Sequence, residues 1–257
     1  MSVTLSTPKK KRPESHQLTV IEVKQLTETS VAVALAVPPS LRDTFDFQPG
    51  QYITFRSVED SGKESFRSYS LCSTPSDLHE RGQLRVGVKF IPEGTFSAYA
   101  AHDLHAGDTL EVLPPMGNFT TEIRPDQHIG AVIAGSGVTP VLSITATALE
   151  AGARVTLLYS NRTDKTVMFA AELKELEERF PDQLTVWHVR TREDASQPLL
   201  TGRVDAERMA GILRELIDVR EINEWFLCGP FELVVGARES LTAHGSGQIH
   251  TELFYVE

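Results

Sequence analysis

The chain has 257 residues, enough for one large domain or two of ordinary size. Hydrophobic residues make up 40% and charged residues 23%, as in soluble globular proteins, and a formal net charge of -10 argues against a general nucleic-acid binder. No apolar stretch reaches the length of a membrane span, residues 1–13 lack the apolar run of a secretory signal, and two cysteines are too few for a disulfide framework or for the four thiolates of a plant-type iron–sulfur cluster. A cytoplasmic location is the expectation.

Residues 1–14, with Lys9-Lys10-Lys11-Arg12 between two prolines, read as a solvated, disordered tail. Then come short runs of strand character at 16–23, 31–37, 52–55, 65–72, 84–90 and 109–112. Pro38-Pro39, Pro49-Gly50, Asp60-Ser61-Gly62, Glu93-Gly94 and Ala106-Gly107-Asp108 separate them. That spacing predicts a small antiparallel barrel or sandwich, with one short helix over 96–101. The texture changes across 122–127, where Pro125 interrupts. Beyond it, apolar runs at 129–134, 155–159, 184–189, 225–228 and 249–254 alternate with helical patterns. The first predicted helix covers 139–150, with Thr139 as its N-cap and Pro140 in the first turn. Phe169, Leu173, Leu176 and Phe180 form one helical stripe, and Met209, Ile212, Leu213 and Leu216 another. A last helix covers 231–243 and stops at Gly245. Such alternation predicts a parallel sheet covered by helices.

Several clusters carry chemistry. Gly135-Ser136-Gly137-Val138-Thr139-Pro140 follows a buried strand and opens a helix. Its glycines let backbone approach a pyrophosphate, and the helix N-terminus supplies free N–H groups and partial positive charge. The third glycine of G-x-G-x-x-G is missing, and an ordinary strand-to-helix turn reads the same way. At the end of the next strand, Ser160-Asn161-Arg162 stands where NAD-binding folds hold an acid. A hydroxyl, an amide and a guanidinium suit a 2′-phosphate, so NADPH is expected ahead of NADH; the plain alternative for Arg162 is a surface arginine.

In the first half, Arg67-Ser68-Tyr69-Ser70 joins a guanidinium, two hydroxyls and an aromatic ring, which suits the pyrophosphate and flat ring system of a flavin. A half-exposed strand has a similar composition. Gly94-Thr95-Phe96-Ser97 precedes the short helix as a second phosphate cradle. His102 and His105 have a helical metal-pair spacing without further ligands, and read as a solvated helix end. Ser136 lacks the surroundings of a G-x-S-x-G nucleophile. The run 172–179 reads as a surface helix with i,i+4 charge pairs.

Taken in order, these motifs resemble the ferredoxin–NADP reductase family over residues 15–257. Arg67, Tyr69 and Ser70 match R-x-Y-S, and Gly94-Thr95-Phe96-Ser97 approximates the second flavin-phosphate motif. Gly117-Asn118-Phe119 follows as G-x-F. Gly135, Gly137, Thr139 and Pro140 meet G-x-G-x-T-P, and Cys228-Gly229-Pro230 meets C-G-P. The resemblance implies an antiparallel Greek-key FAD-binding barrel over 15–123 followed by a parallel α/β pyridine-nucleotide domain over 124–257. It implies that Arg67, flanked by Ser68, contacts the FAD pyrophosphate. Tyr69 would pack on the isoalloxazine, with Ser70 near flavin N5. Val88 and Lys89 would line the ribityl chain with backbone, and Cys228 would approach the nicotinamide. Glu252-Leu253-Phe254 matches the family's Glu-x-aromatic end, where the acid supports the N5 region and the aromatic covers the flavin. Three residues follow Phe254, where plant-type members stop.

Within the family, Tyr159-Ser160-Asn161-Arg162-Thr163 and His250-Thr251-Glu252-Leu253-Phe254 look like the branch serving phenylacetyl-CoA ring epoxidation, which carries a [2Fe–2S] domain after the reductase module. The implied partners are a [2Fe–2S] ferredoxin domain or protein and an oxygenase component, with no metal site in this chain. The chain is expected to be a truncated or natural short form that stops where that domain begins. Two rival readings stay open here. One is a free-standing ferredoxin or flavodoxin reductase. The other is a non-catalytic FAD-binding electron-relay protein, which NADPH would leave oxidised.

Overall fold

The structure is a computed structural model that describes residues 14–58, 64–195 and 197–254. Nearly all of the tail expected over 1–14, the turn expected at 60–62 and the three residues after Phe254 lie outside the described residues. The first half holds six strands: β1 (His16–Thr27), β2 (Ser30–Ala36), β3 (Tyr52–Val58), β4 (Glu64–Ser70), β5 (Gln83–Lys89) and β6 (Thr109–Met116). They form an antiparallel sheet in the order β4-β3-β6-β1-β2-β5, and a bridge between Leu71 and Val86 brings its two edges together into a barrel. Period-two alternation explains the core: Leu84, Val86 and Val88 of β5 are buried inside with Val33, Leu35, Ile53 and Phe55. Helix α1 (Thr95–His102) closes the barrel at Phe96 and Ala100. A five-residue π-helical turn, Asp77–Arg81, is too short to leave a helical stripe in the sequence; Gly82 ends it at φ 66°.

The second half is a parallel sheet of β7 (His128–Ala134), β8 (Arg154–Asn161), β9 (Leu184–Arg190), β10 (Glu224–Gly229) and β11 (Gln248–Leu253), in the order β11-β10-β7-β8-β9. Helices α2 (Val138–Glu150), α3 (Ala170–Arg179), α4 (Ala206–Glu215) and α5 (Phe231–Ala243) cover it. One face buries Ile129, Ala131 and Leu157 under α2 and α3. The other buries Val132, Leu158 and Trp225 under α4 and α5. Thr139 is not the N-cap of α2. The glycine loop tightens into a 3-10 turn, Gly135–Gly137, so the helix starts at Val138 with Gly137 in the cap position. Thr139 lies inside, and its hydroxyl donates to the Ser136 carbonyl at 2.9 Å. Among the described residues no helix is long and apolar enough to cross a membrane.

The seat between the two sheets is made by small side chains. Strand β2 is buried on both faces: Val31, Val33 and Leu35 enter the barrel, while Ala32 joins the apolar cluster under the second sheet. Its partner in register is Gly87, where an added Cβ would lie 2.7 Å from Thr139 and 3.0 Å from the Phe169 ring. Phe169 itself is held at φ 59°, a left-handed conformation that costs a non-glycine residue roughly 1–2 kcal/mol. Its buried ring on this seat repays that cost.

Candidate active site

The carboxyl ends of the parallel strands open into a cleft of about 550 Å³. The chain runs from β7 to β9 on one side, then returns to β10 on the other side of β7, so the crevice lies where open α/β sheets bind ligands. Gly135, Ser136, Ser160, Asn161, Arg162 and Pro230 line it. The loop after β7 and the loop after β10 touch at backbone level. A Cβ on Gly137 would sit 2.2 Å from the Cys228 carbonyl oxygen. Gly229, at φ 151°, gives the second loop its shape, and the Tyr159 hydroxyl donates to the Gly135 carbonyl at 2.9 Å.

The cleft is cationic and has donors to spare. Ser160 and Asn161 are buried, and the Asn161 Nδ2 has no hydrogen-bond partner. Arg162 and Arg192 are exposed at the rim, and among the described residues neither has an ion-pair partner. Lys89 reaches in from the barrel; burial, and then the Arg162 charge, pull its pKa below the usual lysine range. An orphaned amide and unpaired cations fit a polyanionic ligand such as a dinucleotide phosphate.

Cys228 and Glu252 are partners in register on β10 and β11. Cys228 is fully buried; desolvation, and then Glu252, hold its thiol well above its ordinary pKa. Burial pushes the Glu252 carboxyl up to about 7, and its Oε2 has no hydrogen-bond partner. The Phe254 N–H donates to the Gly229 carbonyl at 3.1 Å, which brings its side chain to the cleft beside Pro230.

On the barrel, Arg67 is exposed, and among the described residues its guanidinium donates only to the neighbouring Phe66 carbonyl at 3.0 Å. Ser68 is tied to Thr54 at 2.8 Å. Tyr69 is half-buried, with its pKa raised to about 12 by burial, partly opposed by Arg67. Ser70 is buried opposite Tyr52. The two flavin motifs meet: the Phe96 ring lies 5.3 Å from that of Tyr69 and stacks on Phe55 at 4.6 Å. Gly94 caps α1 and Thr95 is exposed, but the Ser97 hydroxyl is taken up by the Ile91 amide and the Gly94 carbonyl. The cradle therefore offers the first helical amides rather than a hydroxyl. An open guanidinium, a flat half-buried ring and a helix start on one barrel edge fit a flavin dinucleotide.

Val88 turns its side chain into the barrel, leaving only its backbone to a ligand, and the Lys89 side chain also lines the nucleotide cleft, a role its place on β5 did not announce. One placement departs from the sequence reading. Glu172 is no solvated member of a surface helix: it is bonded to Arg85 of the barrel. Arg192 was missed altogether, although its place just past the end of β9 is the signal that singled out Arg162 past β8.

A closed barrel with this ring-and-guanidinium edge, joined to a parallel sheet with a glycine-lined cationic crevice, defines a flavin- and pyridine-nucleotide-dependent oxidoreductase. Residues 17–121 match the oxidoreductase FAD-binding domain family and residues 132–239 the oxidoreductase NAD-binding domain family. The chain is 36% identical over 245 residues to one component polypeptide of the 1,2-phenylacetyl-CoA epoxidase of Escherichia coli K12, covering 93% of this chain and 67% of that one. It is 37% identical to the ferredoxin reductase component of the Rhodococcus rhodochrous 3-ketosteroid-9-alpha-monooxygenase, covering 92% and 64%. The chain thus spans about two thirds of the length of these curated relatives. Among solved structures, it resembles the FAD/NAD-binding domain of the Vibrio cholerae nitric oxide dioxygenase (TM-score 0.74, 27% identity, 95% and 99% of the two chains). It shares the fold of a Neisseria gonorrhoeae ferredoxin NADP+ reductase (TM-score 0.77, 22% identity, 94% and 99%). The chain belongs to the ferredoxin reductase family of FAD- and NAD-binding oxidoreductases.

Proposed function

We propose that this reductase takes hydride from NADPH onto FAD and supplies a [2Fe–2S] carrier, and through it an oxygenase, in ring epoxidation of phenylacetyl-CoA. The observation that carries the nucleotide choice is the end of β8, where Ser160, Asn161 and an unpaired Arg162 replace the acid that would hold an unphosphorylated ribose. The acceptor side is supported by the relatives, named as parts of an epoxidase and of a monooxygenase. Two free, buried cysteines suit a reducing, cytoplasmic setting.

FAD, when bound, accepts an electron pair as hydride and can release the electrons singly. The chain's own residues bind and orient. Arg67 and the α1 amides hold the flavin pyrophosphate, Tyr69 packs on the isoalloxazine and Ser70 borders it. The Gly135–Gly137 amides and Lys89 hold the nucleotide phosphates, with Thr139 and Pro140 setting the helix start behind them. Gly229 and Pro230 wall the nicotinamide end with the Cys228 thiol buried behind them, Phe254 keeps water from it, and Glu252 holds a proton beside it near neutral pH.

Stopped-flow reduction with each nucleotide tests the preference. Arg162→Ala removes a charge-assisted contact of about 1.5–3 kcal/mol, so the KM for NADPH should rise roughly tenfold or more while that for NADH stays put. Equal loss with both nucleotides would end the NADPH reading. The bare chain should reduce ferricyanide, yet support oxygenase turnover only when a [2Fe–2S] domain or ferredoxin is supplied. Full turnover without either would refute the proposed carrier.

A further inference from the structure

One face of β5 contacts the nucleotide domain three times. Its alternate residues Leu84, Val86 and Val88 fill the barrel, which turns Arg85, Gly87 and Lys89 toward the second sheet. Lys89 reaches the nucleotide cleft, and Gly87 seats Thr139 and Phe169. Arg85 makes a two-pronged ion pair with Glu172 in the first turn of α3, Nη1 to Oε1 at 2.7 Å and Nη2 to Oε2 at 2.6 Å. The guanidinium also lies 5.5 Å from the centroid of the Phe169 ring. Behind it, the Arg85 N–H donates to the Ser73 hydroxyl at 3.0 Å, and the Arg85 carbonyl accepts from the Cys72 N–H at 2.8 Å. The same strand thus grips the segment that continues the Arg67–Ser70 motif.

Among the described residues the other cross-domain bonds involve α2: Ser143 Oγ donates to the Ser73 carbonyl at 2.7 Å, and Ser76 Oγ to Glu150 at 2.9 Å. Arg85–Glu172 ties the barrel to α3, which follows directly on the Ser160-to-Thr166 wall of the cleft. A planar fork against a carboxylate fixes direction as well as distance, which a single hydroxyl contact does not. The pair is partly buried, so solvent screens it less than the surface pairs.

We propose that the Arg85–Glu172 pair, seated on Phe169, is a positioning contact for hydride transfer: it sets the angle between barrel and nucleotide domain, and so the approach of nicotinamide to flavin. This rests on the reading that the two cofactors bind on either side of this interface. Neither residue lines the cleft, so the pair acts on geometry and not on cofactor affinity.

The test uses the FAD-loaded full chain and its variants Arg85→Gln, Glu172→Gln and the double substitution, with Arg85→Lys as the conservative change. Stopped-flow reduction gives the limiting rate and the nucleotide Kd, and the long-wavelength nicotinamide–flavin absorbance reports ring approach. Each Gln variant should lose about tenfold in limiting rate and part of the absorbance band, with Kd and FAD content within about twofold of the parent. The double variant should be no slower than the worse single one, because one contact is being removed twice. Arg85→Lys, a charge without the fork, should fall between. Unchanged limiting rates in folded, FAD-loaded variants would overturn the proposal. So would rate losses that multiply in the double variant, or a lowered melting temperature or FAD content with an intact rate. A parent chain that neither nucleotide reduces would overturn it together with the reading beneath it, and the parent trace alone separates that failure from the others.

Discussion

Replacing Gly137 by Ala puts a methyl carbon where the structure has no room. It would lie 2.2 Å from the Cys228 carbonyl oxygen and 2.7 Å from the carbonyl carbon, both backbone atoms that no rotamer change can withdraw. The backbone at 137 is right-handed, at φ -59° and ψ -10°, so alanine meets no conformational penalty and the whole effect is steric. Ordinary van der Waals contact requires the two loops to part by roughly 1 Å, which overpacking data place at about 1–3 kcal/mol. A shift of that size at a positioned reaction costs roughly a hundredfold in rate. The assay is flavin reduction by saturating NADPH, with FAD content and melting temperature recorded on the same sample. FAD should stay bound, because the barrel edge at Arg67 and Tyr69 is untouched. The melting temperature should fall by several degrees, at roughly 2–4 °C per kcal/mol for a chain of this size. Gly135→Ala is the internal control. There an added Cβ meets only the Lys89 Nζ, at 3.4 Å, but the φ of 53° strains alanine by about 1–2 kcal/mol. It should weaken nucleotide binding more than the rate at saturation. A Gly137→Ala protein that melts with the parent and reduces its flavin as fast would refute the argument that contact between these loops sets the site.

Three further outcomes follow from the same geometry. Arg67→Ala should weaken FAD binding about tenfold to a hundredfold, measured by flavin release on dilution; unchanged affinity would remove Arg67 from the pyrophosphate site. Glu252→Gln should change how stability depends on pH. The Glu252 carboxyl holds its proton more tightly folded than unfolded, so its contribution is intact below about pH 4.5 and is lost as the pH rises through about 7. The parent should therefore lose up to about 3 kcal/mol relative to Glu252→Gln across that window, and parallel melting curves from pH 4 to 8 would contradict it. Cys228→Ala should lower the limiting rate of flavin reduction while nucleotide KM changes little, since the buried thiol supports the loop that contacts Gly137. A change confined to KM would place Cys228 in binding alone.

Much of this fold follows from local rules. Alternation in Leu84-Arg85-Val86-Gly87-Val88-Lys89 identifies β5 and its two faces, and Pro230 and Gly245 bracket α5 so sharply that its predicted and observed bounds coincide. Gly135, Arg162 and Pro230 were legible because they directly follow β7, β8 and β10, and chain direction alone carries them to the crevice. The cap of α2 lies two residues before the expected Thr139 because a 3-10 turn depends on how the glycine loop packs on the Cys228 backbone, a contact 91 residues away in sequence. Glu172 looked like one more charge on a solvated helix, since nothing within a few residues of it reveals a partner 87 positions earlier. Lys89 alternated correctly, but which cofactor its outward face meets depends on how the second sheet sits on Ala32 and Gly87. Side-chain period, turn residues and charge type are properties of neighbours along the chain, and those the sequence by itself determined: two sheets, their order of appearance and the chemistry at their edges. The meeting of Arg85 with Glu172, of Gly137 with Cys228 and of Lys89 with the nucleotide cleft was decided only by tertiary packing, because each joins groups whose separation in space is set by the seating of one sheet on the other.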